Sequence, residues 1–287
     1  MALALAMDHD PQALSDSQSL KGSQATMALP TYFEFKAPAD WRNIDFISDL
    51  HLCAAMPRTF EAFISHLRLT PADAVIVLGD LFELWVGDDM GEHGFERTCL
   101  DQIAQASTLR QLAFMVGNRD FLVGQRMLRT SGMQGLPDPT VLLAWNRRVL
   151  LTHGDALCLA DEPYQKFRKQ VRSGEWQRRF LDQPLAARLK IAHEIRQASA
   201  GRQQFDGAAD VDIDTPLAVR WMHGLGSHEM VHGHTHRPGS EALAPGYKRH
   251  VLSDWDLDHA NRAQVLRLNR SGFARVAPTS TPRNEGP

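Results

Sequence analysis

A layered α/β fold is the class this sequence predicts, and three observations carry the prediction. Short apolar runs, too brief for helices, recur along the chain; stretches with apolar residues three and four apart separate the first of them; each run ends in a cluster of Asp, Asn, His and Gly. In a sheet whose strands alternate with helices, such ends share one rim, where ligands gather. The length of 287 residues suits one substantial domain carrying an insert, and 43% apolar with 23% charged residues excludes wholesale disorder, collagen and coiled coil. A net charge of -3 offers no global field for gathering nucleic acid, so no nucleic-acid partner is expected.

The elements follow in order. Residues 1–40 are expected to be a disordered tail: the Ser/Gln/Asp-rich opening buries too little to offset its ordering entropy, and Asp8 and Asp10, with no basic segment before the short apolar stretch, argue against a signal peptide. The core begins at Trp41. Ile44, Phe46 and Ile47 form a strand that runs into Ser48-Asp49-Leu50-His51. Phe60, Phe63, Ile64 and Leu67 mark a helix over 58–69, stopped by Thr70-Pro71. The run 74–78 ends at Gly79-Asp80, 112–116 at Gly117-Asn118-Arg119-Asp120, 148–152 at His153-Gly154-Asp155, and 229–231 at His232-Gly233-His234-Thr235-His236. Between 161 and 215 the pattern changes to consecutive helices, an insert splitting the core into 41–160 and 216–276. Final strands are expected over 248–252, 264–268 and 273–276, with 277–287 a second tail.

Asp49-Leu50-His51 alone reads equally well as turn and capping residues. The weight lies in the set. Asp49, His51, Asp80, Asn118, His153, His234 and His236 each follow an apolar run, so a common rim would gather seven O and N donors, a geometry able to hold two divalent cations about 3.5 to 4 Å apart. Asp80, from a middle strand, is the candidate to bridge them. Imidazole, carboxylate and amide donors without thiolates suit Mn²⁺, Fe or Zn²⁺ rather than Ca²⁺. The three cysteines, Cys53, Cys99 and Cys158, cannot all pair and form no CxxC, which favours a reduced, cytoplasmic setting.

These motifs resemble the calcineurin-like metallophosphoesterases, whose pattern is D-x-H, G-D, G-N-H-[DE], H-G and G-H-x-H. One position departs, with Arg119 standing where the wider superfamily has His. GNRDFL, together with SDLHL, GDLFELWVGDD, HGDALC and HGHTHRP, resembles the UDP-2,3-diacylglucosamine pyrophosphatase (hydrolase) family of lipid A biosynthesis over about residues 44–270. The resemblance implies a four-layer α/β/β/α metallophosphoesterase sandwich with an inserted helical lid at 161–215. It also implies two divalent metal ions, with Mn²⁺ expected, and a metal-generated hydroxide that attacks the α-phosphorus of UDP-2,3-diacylglucosamine. UMP and 2,3-diacylglucosamine 1-phosphate (lipid X) are the products. Asp80, Asn118, Arg119 and His234 are then catalytic. A monomer in peripheral contact with the cytoplasmic face of the inner membrane is expected. The alternative is a calcineurin-like phosphodiesterase or phosphatase acting on another nucleotide, and a further one is a scaffold that lost its metals.

Substrate contacts carry over to Asn118, Arg119, Asp161, Tyr164, Ser199 and His234. The family's Asn falls on Gln203 and its Lys on Asp206, which reverses a charge; Arg202 is a candidate substitute. Over 166–202 ten Lys/Arg face three acids, a local +7 that could meet diphosphate or anionic headgroups, or simply solvate a helix. Trp176, Phe180, Leu185 and Leu189 could line an acyl groove or pack the lid onto the core. Asp120 and Asp155 are expected either to orient ligand histidines or to cap turns, and Phe82 and Trp85 to be core.

Overall fold

The structure, a computed structural model, describes residues 29–206 and 211–280, with 198–206 given as backbone. In chain order the elements are β1 (Phe33–Lys36), β2 (Asn43–Ile47), α1 (Pro57–Leu69), β3 (Ala74–Leu78), α2 (Gly94–Ser107), β4 (Gln111–Met115), α3 (Gln125–Ser131) and β5 (Gln134–Leu136). There follow β6 (Thr140–Ala144), β7 (Arg147–Leu151), α4 (Glu162–Val171), α5 (Gly174–Leu181), α6 (Leu185–Asp206) and α7 (Thr215–Gly224). The chain closes with β8 (Glu229–His232), β9 (Gly239–Ala244), β10 (Tyr247–Val251), β11 (Val265–Asn269) and β12 (Gly272–Val276). Two six-stranded sheets result, ordered β12-β11-β2-β3-β4-β5 and β1-β6-β7-β8-β10-β9.

Side-chain parity in the strands builds four layers. Successive residues point to opposite faces. Ile44 and Phe46 of β2, Ala74, Ile76 and Leu78 of β3, and Ala113 and Met115 of β4 therefore meet Leu142, Val149, Leu151 and Val231 of the second sheet. The intervening residues, Ile47, Val75, Val77, Leu112 and Phe114, turn outward onto Phe63, Leu67, Leu100 and Ile103 of α1 and α2. On the far side Val141, Leu150 and Met230 pack under Leu217, Trp221 and Met222 of α7. Strands buried on both faces read as unbroken apolar runs, which is why AVIVL was legible.

The expected tail 1–40 is shorter at its inner end. Residues 1–28 lie outside the described residues, but Phe33–Lys36 forms β1, parallel to β6, and buries Phe35 between the sheets. The Ser/Gln-rich composition stops before this strand, and the alternation Phe33-Glu34-Phe35-Lys36 suits an edge with one buried face. At the other end, the Thr279 backbone N–H donates to His66 Nδ1 at 3.1 Å; 281–287 are outside the described residues.

The lid helices α4 to α6 lie on the core. Phe180 is buried in the cluster beneath α1 and α2, its ring stacked on Trp176 at 4.7 Å, while Leu185 and Leu189 pack against the same cluster. Packing onto the core is thus what these side chains do. Four lid arginines also reach core groups. Arg168 and Arg172 bond Asp155, Arg188 bonds Asp89 and the Val86 carbonyl, and Arg196 bonds Glu83. Much of the basic excess therefore pins the insert.

One buried charge braces the first sheet. Asp45 faces outward from β2 and accepts from Arg267 of β11 (2.7 and 2.8 Å) and Thr70 Oγ1 (2.6 Å), with His66 Nε2 at 3.3 Å. Burial alone would raise its pKa, but Arg267, His66 and Thr70 outweigh it and lower it from 3.8 to about 2. A depressed carboxylate stabilises the fold above its unfolded pKa, and that contribution fades as pH falls through the folded value. Asp45→Asn is expected to lose about 2 kcal/mol in urea unfolding at pH 7 and about half that near pH 3. A loss independent of pH would assign the effect to packing instead.

Candidate metal centre

The rim where β2, β3, β4, β7 and β8 end carries unusual backbone. Seven non-glycine residues among those described have positive φ, and five are Asp49 (53°), His51 (49°), Asp80 (53°), His234 (65°) and His236 (51°). Left-handed backbone costs an L-residue roughly 1–2 kcal/mol, so it persists only where surrounding contacts hold it. Here the strand ends turn sharply inward and bring the five side chains to one place.

Hydrogen bonds between the two sheets set the geometry. His153, after β7, places Nδ1 2.8 Å from the Leu78 carbonyl of β3, and the His234 backbone N–H donates to Asp49 Oδ2 at 3.0 Å. Ser48 Oγ donates to the same oxygen at 2.5 Å, and the Trp255 N–H donates to the Asp49 carbonyl at 3.0 Å. Close backbone approach is required as well. Gly79 has φ 89°, and a Cβ there would lie 2.7 Å from Gly117 Cα and collide with His153 Nδ1; one on Gly117 would run into Asp80.

All seven expected donors converge. With Nδ1–H donated to the Leu78 carbonyl, His153 places Nε2 only 2.9 Å from Asn118 Oδ1 and 3.7 Å from Asp80 Oδ1, where it carries either a proton or, when neutral, a lone pair for a cation. His234 Nδ1 is also 2.9 Å from Asn118 Oδ1. In the other half, His51 Nε2 lies 3.4 Å from His236 Nε2 and 4.0 Å from Asp80 Oδ2, and His236 Nε2 lies 3.3 Å from Asp49 Oδ1. Asp49, His51 and His236 form one compact group, and Asp49, Asp80 and His153 a second. Electron pairs that close, with Asp49, Asp80 and His153 fully buried, repel unless a proton or cation lies between them. The set fits divalent metal ions, with Asp80 reaching both halves.

The titration of the site follows its crowding. Burial opposes charge on His153, yet Asp80, Asp49 and Asp155 hold its pKa up at about 9, whereas His234 is pushed down by burial and by His153. Burial and then Asp80 raise Asp120 to about 6. For Glu83, burial is outweighed by His51, Arg119 and Arg196, which bring it to about 2. Burial lifts the Cys158 thiol to about 12.

Neither Asp120 nor Asp155 hydrogen-bonds a ligand histidine among the described residues. The oxygens of Asp120 accept from the backbone N–H groups of Gly117 and Leu81, both at 2.7 Å, and so tie together the loops after β3 and β4. Asp155 accepts from Tyr164 Oη (2.6 Å) and Arg168 Nε (2.8 Å), and the Tyr164 ring it holds stacks on His234 at 6.0 Å. The Leu78 carbonyl is what orients His153, a partner invisible in a residue pattern. Phe82 and Trp85 are core, as expected. Arg119 donates its backbone N–H to Asp80 Oδ1 at 2.8 Å, and its buried Nε has no hydrogen-bond partner among the described residues. Asp161 caps α4 by accepting from the Tyr164 N–H at 3.1 Å. Ser199 and Gln203, with Arg202 and Asp206, fall on α6 where side chains lie outside the described residues.

Sequence reading passed over Glu83, whose Oε2 is 3.0 Å from His51 Nδ1. Its one signal was a place three residues beyond Asp80, in a loop without periodicity. Gly79→Ala is expected to cost about 2–4 kcal/mol in urea unfolding, from backbone strain plus overlap with His153, and to weaken Mn²⁺ uptake. An alanine variant with unchanged stability would contradict the crowding described.

The calcineurin-like phosphoesterase profile matches residues 42–238. A UDP-2,3-diacylglucosamine hydrolase of Stenotrophomonas maltophilia is 40% identical over 250 residues, covering 80% of this chain and 96% of that protein. Proteins of the same name from Ralstonia nicotianae (88% of this chain, 98% of that protein) and Serratia proteamaculans (75% and 92%) are each 43% identical. With its donors on one rim of a four-layer sandwich and this similarity along most of its length, the chain belongs to the calcineurin-like phosphoesterase family.

Proposed function

We propose that this protein hydrolyses the pyrophosphate of UDP-2,3-diacylglucosamine at the α-phosphorus, giving UMP and 2,3-diacylglucosamine 1-phosphate in lipid A biosynthesis. The observation that carries the reading is the convergence of seven donors beside Arg119 in a chain about 40% identical to enzymes named for that substrate. A pair of divalent ions bound by Asp49, His51, Asp80, Asn118, His153, His234 and His236 would supply Lewis acidity and a water of lowered pKa. The mixed O and N donors suit Mn²⁺, the ion the family resemblance implies, as they do Fe or Zn²⁺.

The chain's own residues do the rest. The Leu78 carbonyl and the Asp49 carboxylate hold His153 and His234 in place before substrate arrives, so their ordering is not charged to the reaction. Arg119, whose Nε–H has no hydrogen-bond partner among the described residues, offers a forked donor to phosphate oxygens. Attack at the α-phosphorus expels a phosphate monoester, an anion stable without protonation at neutral pH. A fixed cation serves there better than a proton donor, which gives a reason for Arg in place of His. Asn118 and His234 flank that position, and Tyr164 walls it by stacking on His234. Asp161, Ser199 and Gln203 complete the substrate contacts in this reading.

Reach to a lipid substrate falls to the lid. Lys166, Lys169, Arg178, Arg179 and Lys190 are exposed on its helices, and Leu181 is 42% exposed. Such a face supports peripheral contact with anionic lipid on the cytoplasmic side of the inner membrane, at about 1 kcal/mol per cation. No helix among the described residues is long and apolar enough to cross a membrane. The protein would act there as a monomer.

Asp80→Ala and His234→Ala are each expected to abolish turnover of UDP-2,3-diacylglucosamine while circular dichroism stays near that of the parent. In ¹⁸O water, mass spectrometry should find the label in UMP. Label in the lipid phosphate would move the attack to the other phosphorus, and hydrolysis of bis-p-nitrophenyl phosphate alone would point to another phosphodiesterase.

A further inference from the structure

Glu83 occupies the loop after β3, between the lid and the candidate metal centre. Its Oε2 lies 3.0 Å from Nδ1 of His51, on the ring edge opposite the Nε2 that faces His236 and Asp80. Its Oε1 and backbone carbonyl are both taken by the guanidinium of Arg196 on α6, through Nη2 and, at 3.4 Å, Nη1. The Nδ1 contact is a close charge pair and not an aligned hydrogen bond. Both members of the Arg196–Glu83 pair are partly buried. The other half of the centre is held differently: the Leu78 carbonyl fixes His153, and Asp155, bound by α4, reaches His234 through Tyr164.

We propose that Glu83 is a positioning residue through which Arg196 of the lid fixes His51, so that lid order and metal affinity at the Asp49–His51–His236 half are linked. The inference rests on the metal-centre reading above. A carboxylate on Nδ1 keeps the proton there, aims Nε2 at the ion and raises its basicity; such outer partners are typically worth 10–100-fold in metal affinity. Arg196 places that carboxylate, which extends the effect to α6. Linkage is reciprocal: an ion that draws His51 into place also favours the lid conformation that holds Glu83.

The test uses MnCl₂ as the only ligand, with the full-length metal-stripped protein in a calorimeter. Wild type should show two Mn²⁺ sites. Glu83→Gln is expected to weaken one of them about 10–100-fold and leave the other within about twofold. Arg196→Ala should weaken the same site by several-fold, with Arg196→Lys lying between it and wild type. Hydrogen exchange gives a second readout. Mn²⁺ should slow exchange in the described turns of α6 in wild type and have little effect on them in Glu83→Gln.

A merely structural role for Glu83 would lower both affinities or the melting temperature together, and that result would overturn the proposal. So would two sites of unaltered affinity in both Glu83→Gln and Arg196→Ala. A wild type that takes up no Mn²⁺ would overturn the metal centre itself, and this link with it.

Discussion

Two hydrogen bonds that cross from one sheet to the other hold the rest of this molecule in its functional arrangement. His153, on a loop of the second sheet, is turned by the Leu78 carbonyl of the first; Asp49, on a loop of the first, holds the His234 backbone of the second. Each sheet alone carries only part of the donor set. The apolar layer of Ile44, Phe46, Ile76, Leu78, Leu142, Val149, Leu151 and Val231 presses the sheets together, and the cross-sheet bonds then set their rims in register. The hydrophobic layer supplies the attraction, which is non-directional, and the polar bonds supply the aim.

Bringing acidic and imidazole groups together in this way opposes folding. Five side chains turn inward on left-handed backbone, and fully buried Asp49, Asp80 and His153 crowd one another. Such a cluster persists because the surrounding core over-determines it, and strain of this kind concentrates at functional sites. The neighbours are arranged accordingly. Asp120 locks the two loops that carry Asp80 and Asn118, and no Cβ stands between those loops at Gly79 and Gly117. Stability and site geometry are one problem here, solved by the same contacts.

The insert illustrates how a charge count misleads when it stands without partners. Its local excess of cations suggested a surface for phosphates or lipid, yet Arg168, Arg172, Arg188 and Arg196 are bound to core carboxylates and carbonyls. They act as tethers, and among the described side chains the lysines with Arg178 and Arg179 remain on the exposed face. Likewise Phe180, a candidate for an acyl groove, is buried against the core cluster. Periodicity marks an apolar face without saying what covers it.

What the sequence by itself determined is the layered class, the strand-end position of every expected donor and the helical nature of the insert. Each depends on local order: strand parity, turn chemistry and the 3.6-residue period are written within a few residues of one another. Tertiary structure decided the remainder. That β1 joins the second sheet, that a backbone carbonyl orients His153, that Asp120 binds two loops together, and that Glu83 stands behind His51 all depend on residues tens of positions apart meeting in space. A linear pattern has no term for such meetings, because what fixes them is the packing of one sheet on another and of the lid across both.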